Sequence, residues 1–582
     1  MEVTRQPLQL DLRRLVLLLA GAMCVLPFVQ PRHFPPLPAF YDEWLACALG
    51  LAAVMLAALS RAFALRRVPT LTVSLVLFAL TLFARAMVGS PAYPQSALLW
   101  GLYAAFAALI VLLGHQLTTE FGLEKVCDVI AGFLLAAAIT NSVTGVLQVV
   151  GIPSFLAPVI SHLQGNRAIG NIGQANLFAN YLALGEASLL YLHARGKLGL
   201  SLTVAGGLVL LSSVGFASSR SSILYVAVFI VLASVLAVRF DDVSFRRMRM
   251  ATLVLAVGVL LAQWLGAVDN SGFIRNSTFP IEGPVPDAGM NMRLIAWKIA
   301  GRLFLESPWF GVGPSEFAGA AFSLGLPSKL AGNEIWTSPH NFFFHLLVET
   351  GLVGTLLVLS PLIVWWLHFP RLLLGAKPIQ GWWLLACAGV ELVHAMLEYP
   401  LWHAHFLALT ALIMGLGASG SYQMRPLAMR ATLALGSVIG AMVLSSQLVD
   451  YIRFDLASGV SGARSLATER EVIHDRTALE DLSKGLLAPT AERWLFFAFE
   501  LDDSELDTKI AVGNRVLRLW PTREGVARQS ILLAMSGRRD EAATLFLHGL
   551  NTYSTDTRSM TDAVLSAPIT AQHVLRPLLP RP

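Results

Sequence analysis

Residues 221–238 read SSILYVAVFIVLASVLAV, and an arginine stands directly on either side of them, Arg220 before and Arg239 after. The stretch carries no charge, and its length lies within the range of about 17–25 apolar residues that a transmembrane helix needs. It therefore predicts a helix that crosses a membrane, with one arginine near each surface.

Further stretches of the chain follow the same pattern. The 582 residues are 55% hydrophobic and 14% charged, with a mean hydropathy of +0.64, whereas a soluble globular protein carries about 25% charged residues. The predicted fold class is all-α: a polytopic membrane helical bundle of about 13 spans, with a long loop outside the membrane and a C-terminal helical-hairpin domain. The spans are expected near residues 13–30, 44–60, 70–88, 97–114, 126–150, 176–193, 198–216, 221–238, 249–267, 346–367, 381–397, 402–419 and 429–447.

The lysines and arginines of the short loops predict the orientation of the bundle. Basic residues accumulate in cytoplasmic loops, and nearly all of those in this chain fall on one side of the predicted spans. We therefore place that side in the cytoplasm. The net charge of +5 then reflects topology, and no nucleic-acid partner is expected. The residues concerned are Arg5, Arg13, Arg14, Arg61, Arg66, Arg67, Lys125, Arg195, Lys197, Arg239, Arg246, Arg247, Arg249, Arg371, Lys377, Arg425 and Arg430.

The same pattern divides the chain into four parts. Residues 1–267 are expected to form an N-terminal membrane bundle, 268–345 a long non-cytoplasmic loop, 346–449 the C-terminal membrane helices, and 450–582 an α-helical domain on the same side as the loop. A loop of this length is usually functional or disordered. Residues 290–306 within it have helical periodicity.

The C-terminal part shows paired helices. Val526 and Leu533 belong to one predicted apolar helix face, Gly537 interrupts it, and Ala542 and Phe546 begin the next face. The turn between them resembles that of a tetratricopeptide helix pair. Stacked hairpins of that kind usually bind other polypeptides.

A group of polar residues falls on, or just inside, one membrane face, the non-cytoplasmic one. Hydrogen-bonding and cationic groups that converge there predict a site for an anionic, membrane-borne substrate. The candidates are Asn171, Gln174, Asn176, Arg220, Arg293, His340, Glu349, Glu398 and Tyr399.

The first candidates lie where the sixth and eighth spans begin. The amides of Gly170–Leu177 suit sugar hydroxyls, but a glycine turn that caps a helix, with Asn176 as the cap, is an equally good explanation. Arginine is the preferred bidentate partner of phosphate, so Arg220 is expected to bind an anion. The alternative is an arginine that snorkels to the interface.

Two candidates come from the long loop. Arg293 lies on the predicted loop helix, and the turn at Ser307–Pro314 could bring that helix back to the membrane. Ser338 and Pro339 predict the N-cap and first residue of the next helix. His340 would then lie in its first turn, where the helix dipole favours anions and a neutral imidazole. Such a histidine could accept a hydroxyl proton, although a polar residue at an interface is the commoner explanation.

The remaining candidates lie at later turns. Glu349 follows His345 by four residues, so the two share a helix face, while Glu398 and Tyr399 precede a turn at Pro400. The sequence contains no Walker loop, HExxH, GxSxG or strong acidic metal pair. ATP-driven transport and metallohydrolysis therefore have no support, and no metal site is predicted.

As an ordered set, these motifs resemble the O-antigen ligase superfamily. Within it they are most similar to bacterial pilin-type protein O-oligosaccharyltransferases, as is the Pro-rich first loop that ends at residues 40–44. The motifs that carry the resemblance are Gly170–Leu177, Ser219–Arg220, Arg293 with Trp297, Pro308–Gly313, His340–Asn341, Glu349–Gly351 and Glu398–Trp402.

The resemblance implies a multi-pass enzyme of the bacterial inner membrane whose active site faces the periplasm. Such enzymes move a preassembled glycan from undecaprenyl diphosphate to a hydroxyl, without a nucleotide or an essential metal as cofactor. The implied acceptor is Ser or Thr of a periplasmic protein such as pilin. Arg220 and Arg293 would contact the diphosphate, and His340 would be the essential histidine. The other candidates are implied to be architectural or to bind substrate: Asn171, Gln174, Asn176, Glu349, Glu398 and Tyr399.

Two other functions stay open. An O-antigen ligase acting on lipid A-core, or a repeat-unit polymerase, would use much the same site, and a peptide-binding C-terminal domain favours a protein acceptor only weakly. A polysaccharide transporter would carry charges at mid-span and in broken helices, whereas the polar group here is expected at one interface.

Overall fold

The computed structural model describes residues 11–33, 36–89, 91–163, 167–240, 242–269, 288–324, 336–418, 421–458, 476–554 and 557–580. These residues are almost entirely helical. The strands among them are β1 (Arg67–Pro69) and β2 (Ser421–Gln423), which pair antiparallel with Val68 opposite Tyr422. The predicted fold class, a polytopic helical membrane protein, is confirmed.

A helix lies at each predicted span. In chain order the helices are α1 (Leu12–Met23), α2 (Leu26–Val29), α3 (Phe40–Leu59), α4 (Thr70–Val88), α5 (Pro94–Phe121), α6 (Leu123–Val150), α7 (Ala175–Ala194), α8 (Leu200–Ala217), α9 (Ser221–Arg239), α10 (Val243–Asp269), α11 (Ala288–Glu306), α12 (Phe317–Ser323), α13 (Phe342–Leu367), α14 (Phe369–Leu374), α15 (Pro378–Ala395), α16 (Ala404–Leu416) and α17 (Pro426–Ser458). Within the described ranges, ten apolar helical segments are long enough to cross a membrane, and α7, α15 and α16 are not among them. The count of about 13 spans stays a prediction.

The helices α7 and α15 are buried on nearly all sides. Every residue of α7 except Asn176 and His193 is buried, and the indole nitrogen of Trp383 in α15 donates a hydrogen bond to Ser188 Oγ in α7 at 3.1 Å. A helix enclosed by other helices needs no continuous apolar surface towards lipid. Polar residues such as Asn180 and Glu391 are therefore accommodated there, and they lower the mean hydropathy of these two helices.

The chain forms two compact units, each made of separate stretches. The first unit consists of Met1–Val76, Ala104–Gly283 and Leu359–Ser445, and the second of Leu77–Tyr103, Pro284–Val358 and Ser446–Pro582. The four-part division by sequence segments stays a prediction.

In the second unit, α11 packs against α12 and α13. Ala300 and Leu303 of α11 form one apolar cluster with Phe317 of α12 and Val348 of α13. The helix predicted over residues 290–306 is confirmed as α11. Its apolar face supplies the packing that keeps it in place, because a helix in water derives most of its stability from such burial.

The C-terminal residues form a series of short helices. Gly537, with φ of 81°, ends one helix before Arg539 begins the next, and the faces expected to be apolar are buried at Val526 and Phe546. The predicted hairpin is confirmed, while its likeness to a tetratricopeptide repeat stays a prediction. The helices are Arg476–Leu482, Ala488–Ala498, Leu506–Leu519, Arg523–Met535, Arg539–Thr552, Arg558–Leu565 and Ile569–Leu575.

Candidate functional site

The start of α7 contains three of the predicted site residues. The helix begins at Ala175, and Gln174 is its cap, because the Gln174 side-chain oxygen accepts a hydrogen bond from the Leu177 amide at 3.1 Å. The alternative prediction that Asn176 caps the helix is therefore wrong. Since Gln174 satisfies the exposed amide, the Asn176 side chain takes part in other contacts.

Asn171 serves the architecture of the preceding turn. Its side chain is buried and donates hydrogen bonds to the carbonyls of Val29 at 2.9 Å and Val159 at 2.8 Å. Its oxygen accepts from the Ser161 amide at 2.9 Å. A side-chain amide used in this way has little capacity left for a sugar. Of the two roles expected for Asn171, these contacts favour the architectural one.

Asn176 joins several polar groups of the first unit. Its side-chain oxygen accepts from Arg167 Nη2 at 2.9 Å and from Ser219 Oγ at 3.1 Å. Its side-chain nitrogen donates to Glu398 Oε1 at 3.0 Å. The two donors and the carboxylate determine which way round the amide lies. Asn176 and Glu398, which are far apart in sequence, are thus brought together.

Arg167 is a member of this group that we did not identify from the sequence. Its Nε donates to the Ala217 carbonyl at 2.8 Å. Burial lowers the pKa of Arg167, and the nearby charge of Glu398 opposes that effect. A signal was present, because a basic residue in a predicted non-cytoplasmic loop departs from the positive-inside pattern.

Arg220 directly precedes α9 and lies beside the Asn176 group. Its neighbour Ser219 is buried and donates to Asn176, whereas Arg220 itself is exposed. The Arg220 side chain does not cap the helix, and within the described residues its guanidinium makes no hydrogen bond or ion pair. An exposed guanidinium next to the first amides of a helix presents positive charge to an anion.

Glu398 and Tyr399 lie between α15 and α16. Glu398 is 5% exposed and Tyr399 is half-buried. Burial raises the pKa of the Tyr399 hydroxyl, and the charge of Glu398 raises it further. The residues Pro400–Trp402 form one 3-10 turn before α16 begins. Tyr399 thus lies on a short connection whose direction is set by Pro400.

In the second unit, His340 does not occupy the position predicted for it. The helix α13 begins at Phe342, and Asn341 precedes it with its side-chain oxygen accepting from the Phe344 amide at 3.2 Å. The prediction that Ser338 caps the helix and that His340 lies in its first turn is wrong. His340 has a left-handed backbone with φ of 49°, so it cannot belong to a right-handed helix.

The helix α11 is attached to the segment before His340. Trp297 Nε1 donates to the Pro339 carbonyl at 3.0 Å, and its ring stacks on Phe344 with a centroid separation of 5.6 Å. Arg293 lies one helical turn before Trp297 on α11 and is half-buried. The contacts of Trp297 therefore associate the helix that carries Arg293 with the segment that carries His340.

The predicted turn at Pro308–Gly313 packs against an interruption in α13. At Gly351 the helix has φ of 64° and ψ of −166°, which frees backbone groups on both sides. The Val312 amide donates to the Val348 carbonyl at 2.8 Å, and the Leu352 amide donates to the Pro308 carbonyl at 2.8 Å. These bonds satisfy the groups that the interruption leaves without helical partners. The motifs at 308–313 and 349–351 thus form one structure.

Glu349 lies just before this interruption and is fully buried. Its two carboxylate oxygens accept from the amides of Ser315 at 2.6 Å and Phe317 at 3.3 Å. Its Oε1 also lies 3.2 Å from His345 Nε2. A carboxylate with several donors inside the protein is part of the architecture. The described part of the chain contains no group of three or more His, Cys, Asp or Glu side chains that could hold a metal ion.

Comparison with known families covers most of these residues. A family model described as O-antigen ligase matches residues 205–359, which include Arg220, Arg293, His340 and Glu349. A second model, described as the C-terminal part of a virulence factor membrane-bound polymerase, matches residues 382–566, which include Glu398 and Tyr399. The match to the O-antigen ligase model confirms the predicted resemblance to that superfamily.

A curated relative shows the enzyme class within the superfamily. The General O-oligosaccharyltransferase of Acinetobacter baylyi is 27% identical over 422 residues, which is 70% of each chain. The predicted enzyme class is confirmed, and the chain is a multi-pass membrane oligosaccharyltransferase.

Proposed function

We propose that this enzyme transfers a preassembled glycan from undecaprenyl diphosphate to a Ser or Thr hydroxyl of a periplasmic protein such as pilin. The observation that carries the proposal is the likeness over 70% of the chain to a protein named General O-oligosaccharyltransferase. The bias of Lys and Arg in the short loops supports an inner-membrane orientation with the Asn176 group towards the periplasm.

Arg220 and Arg293 are proposed to stabilise the donor diphosphate. Transfer leaves undecaprenyl diphosphate as the leaving group, and negative charge grows on its phosphate oxygens as the bond to the sugar breaks. Guanidinium groups and helix amides that are already in place stabilise such charge without rearrangement. Arg220 is exposed at the start of α9, which suits this role.

His340 is proposed to act as the base towards the acceptor. The acceptor oxygen attacks the anomeric carbon, the bond from that carbon to the diphosphate oxygen breaks, and the hydroxyl proton passes to the imidazole. Undecaprenyl diphosphate leaves with the bonding electrons. In-line attack of this kind inverts the configuration at the anomeric carbon. Tyr399 and the Asn176 group are proposed to contact the sugar or to hold those that do.

A repeat-unit polymerase is the second candidate function. The match of residues 382–566 to a polymerase family model favours it, because that region contains the turn with Tyr399 and much of the C-terminal helical part. A polymerase would use the same donor but a sugar hydroxyl as the acceptor. An O-antigen ligase would use a hydroxyl of lipid A-core.

The test uses a Gram-negative host that lacks its own O-antigen ligase. The full chain is co-expressed with a lipid-linked glycan pathway and a pilin, and mass spectrometry locates the glycan. We expect it on Ser or Thr of the pilin, with loss of the product in Arg220→Ala, Arg293→Ala and His340→Ala variants. A His340→Ala variant with unchanged transfer would remove the base from the mechanism.

The location of the glycan separates the alternatives. Glycan on lipid A-core alone would assign the ligase function, and longer lipid-linked chains alone would assign the polymerase function. Correct insertion is checked in every variant by the protein level in the membrane fraction. Glycan on none of these acceptors, with the protein inserted, would contradict the proposal.

A further inference from the structure

Three buried side chains form a series of polar contacts that ends at the backbone of His340. Glu349 Oε1 lies 3.2 Å from His345 Nε2, and His345 Nδ1 lies 3.3 Å from Ser338 Oγ. Ser338 Oγ in turn accepts from the His340 amide at 3.1 Å. Glu349, His345 and Ser338 are all less than 5% exposed, so water does not compete with these contacts. We call Ser338, His345 and Glu349 the relay.

The donor and the acceptor in each contact of the relay follow from its end at Glu349. The Glu349 carboxylate accepts from two backbone amides, one on each oxygen, so it is the acceptor towards His345 as well. His345 must then carry a hydrogen on Nε2, which in the neutral ring makes Nδ1 an acceptor. Ser338 O–H can satisfy that acceptor, and a lone pair of the same oxygen receives the His340 N–H.

The relay holds His340 in an unusual conformation. A left-handed backbone is uncommon and strained for a residue other than glycine, so contacts around His340 must maintain it. Ser338 Oγ accepts a hydrogen bond from the amide of His340, and Trp297 Nε1 donates one to the preceding carbonyl, that of Pro339. The Trp336 ring lies 4.4 Å from the imidazole. The direction in which the imidazole points is thus set by its neighbours.

We propose that Ser338, His345 and Glu349 are positioning residues that orient His340 for catalysis. The proposal rests on the proposed function, in which His340 accepts the hydroxyl proton. A base must lie within hydrogen-bond reach of that proton, and a misplacement of about 1 Å can cost on the order of a hundredfold in rate. The relay supplies this orientation without touching the substrate itself.

The first test compares two substitutions of nearly equal shape, Ser338→Thr and Ser338→Val. Only threonine retains the hydroxyl. With the full chain in lipid nanodiscs, a lipid-linked glycan and pilin, we expect Ser338→Val to lower kcat about tenfold or more with little change in the KM for the donor. Ser338→Thr should stay within about threefold of the wild-type rate. Ser323→Val, at an exposed serine of α12, is the matched control and should be unchanged.

The outcomes for the two variants decide between orientation and simple packing. Equal losses in the threonine and valine variants, or a wild-type rate in both, would overturn the proposal. If Ser338→Val also unfolds at a lower temperature, so that loss of folded protein explains its lower rate, the proposal is overturned as well. An unchanged unfolding temperature with a selective loss of kcat is the expected result.

A second measurement does not depend on glycan transfer. NMR spectra of the full chain with labelled histidine report the ring state, and the signals of His340 and His345 are assigned by their loss in His340→Ala and His345→Gln variants. We expect His345 to carry its hydrogen on Nε2, and we expect Ser338→Val, but not Ser338→Thr, to move both signals. Signals that stay in place would overturn the relay even if transfer is found. The expected shifts would support the relay even if the proposed acceptor is wrong.

Discussion

Arg518, on the C-terminal helix Leu506–Leu519, forms an ion pair with Glu316, the residue that precedes α12. The other oxygen of Glu316 accepts from the Ala92 amide at 2.8 Å. Gly319 of α12 lies so close to the same helix that a Cβ there would meet the Arg518 carbonyl at 2.1 Å. The amides on either side of Glu316 bind Glu349. The C-terminal helices are thereby joined to the segment that supports the relay.

We expect a swap of the two charges in the Arg518–Glu316 ion pair to be tolerated better than the loss of one of them. Arg518→Ala leaves the buried Glu316 carboxylate without its cationic partner, which should lower the free energy of unfolding by about 1–3 kcal/mol. Glu316→Arg combined with Arg518→Glu restores opposite charges and should recover part of that loss. Thermal unfolding of the detergent-solubilised protein measures both effects. Arg558→Ala, at a side chain that is 91% exposed, is the control. A double variant no more stable than Glu316→Arg alone would contradict the pairing.

Exchange of amide and carboxylate tests the role of Asn176. In Asn176→Asp, a second carboxylate faces Glu398 across the 3.0 Å contact, and like charges at that distance repel. We expect glycan transfer to fall about tenfold or more. Adding Glu398→Gln recreates a hydrogen bond between an amide and a carboxylate in the opposite sense, so transfer should rise again. Product yield at equal protein level is the measurement. Failure of the double variant to exceed Asn176→Asp would show that the contact does not matter.

Two glycines of the second unit should respond in opposite ways to alanine. A Cβ at Gly351 would lie 2.4 Å from the Trp309 backbone, and the φ of 64° with ψ of −166° is open essentially to glycine alone. We expect Gly351→Ala to lower the free energy of unfolding by about 3 kcal/mol or more. Gly301 in α11 has nothing within 4 Å of its position for a Cβ, so Gly301→Ala should be neutral or stabilise by up to about 1 kcal/mol. Similar unfolding temperatures for the two variants would contradict the close packing of the Pro308–Gly313 turn against Gly351.

Arg220 should matter for turnover and little for folding. Because the Arg220 side chain makes no hydrogen bond or ion pair within the described residues, Arg220→Ala should keep the wild-type unfolding temperature. If it stabilises the leaving diphosphate, kcat/KM should fall about 10²–10³-fold. Arg220→Lys retains the charge without the bidentate geometry, so an intermediate rate is expected. Steady-state rates with varied lipid-linked donor provide the measurement. A wild-type rate in Arg220→Ala would exclude it from the site.

Most of the helices could be predicted from the sequence because their signal is local. Uninterrupted apolar length decides whether a stretch can satisfy its backbone inside a membrane, and a helix is present at each predicted stretch. The contacts of Arg167 could not be predicted in this way. Its partners, Asn176 and the Ala217 carbonyl, come from two different helices, and no local pattern reports such a meeting.

His340 shows where a local rule failed. The Ser-Pro pair before it matches the usual start of a helix, yet the helix begins at Phe342. The hydroxyl of Ser338 accepts from His340 and contacts His345, and Asn341 caps the helix instead. Either residue could cap a helix, and in the structure Asn341 does so while the Ser338 hydroxyl contacts His345.

The sequence by itself determined that this chain is a helical membrane protein and where its helices lie. Hydropathy and charge are properties of single residues and short windows, so they can be read without a fold. The tertiary structure alone decided which polar atoms are occupied by the architecture, as in Asn171 and Glu349, and which are left exposed, as in Arg220. The reason is that a hydrogen bond within about 3 Å depends on helices that are distant in sequence.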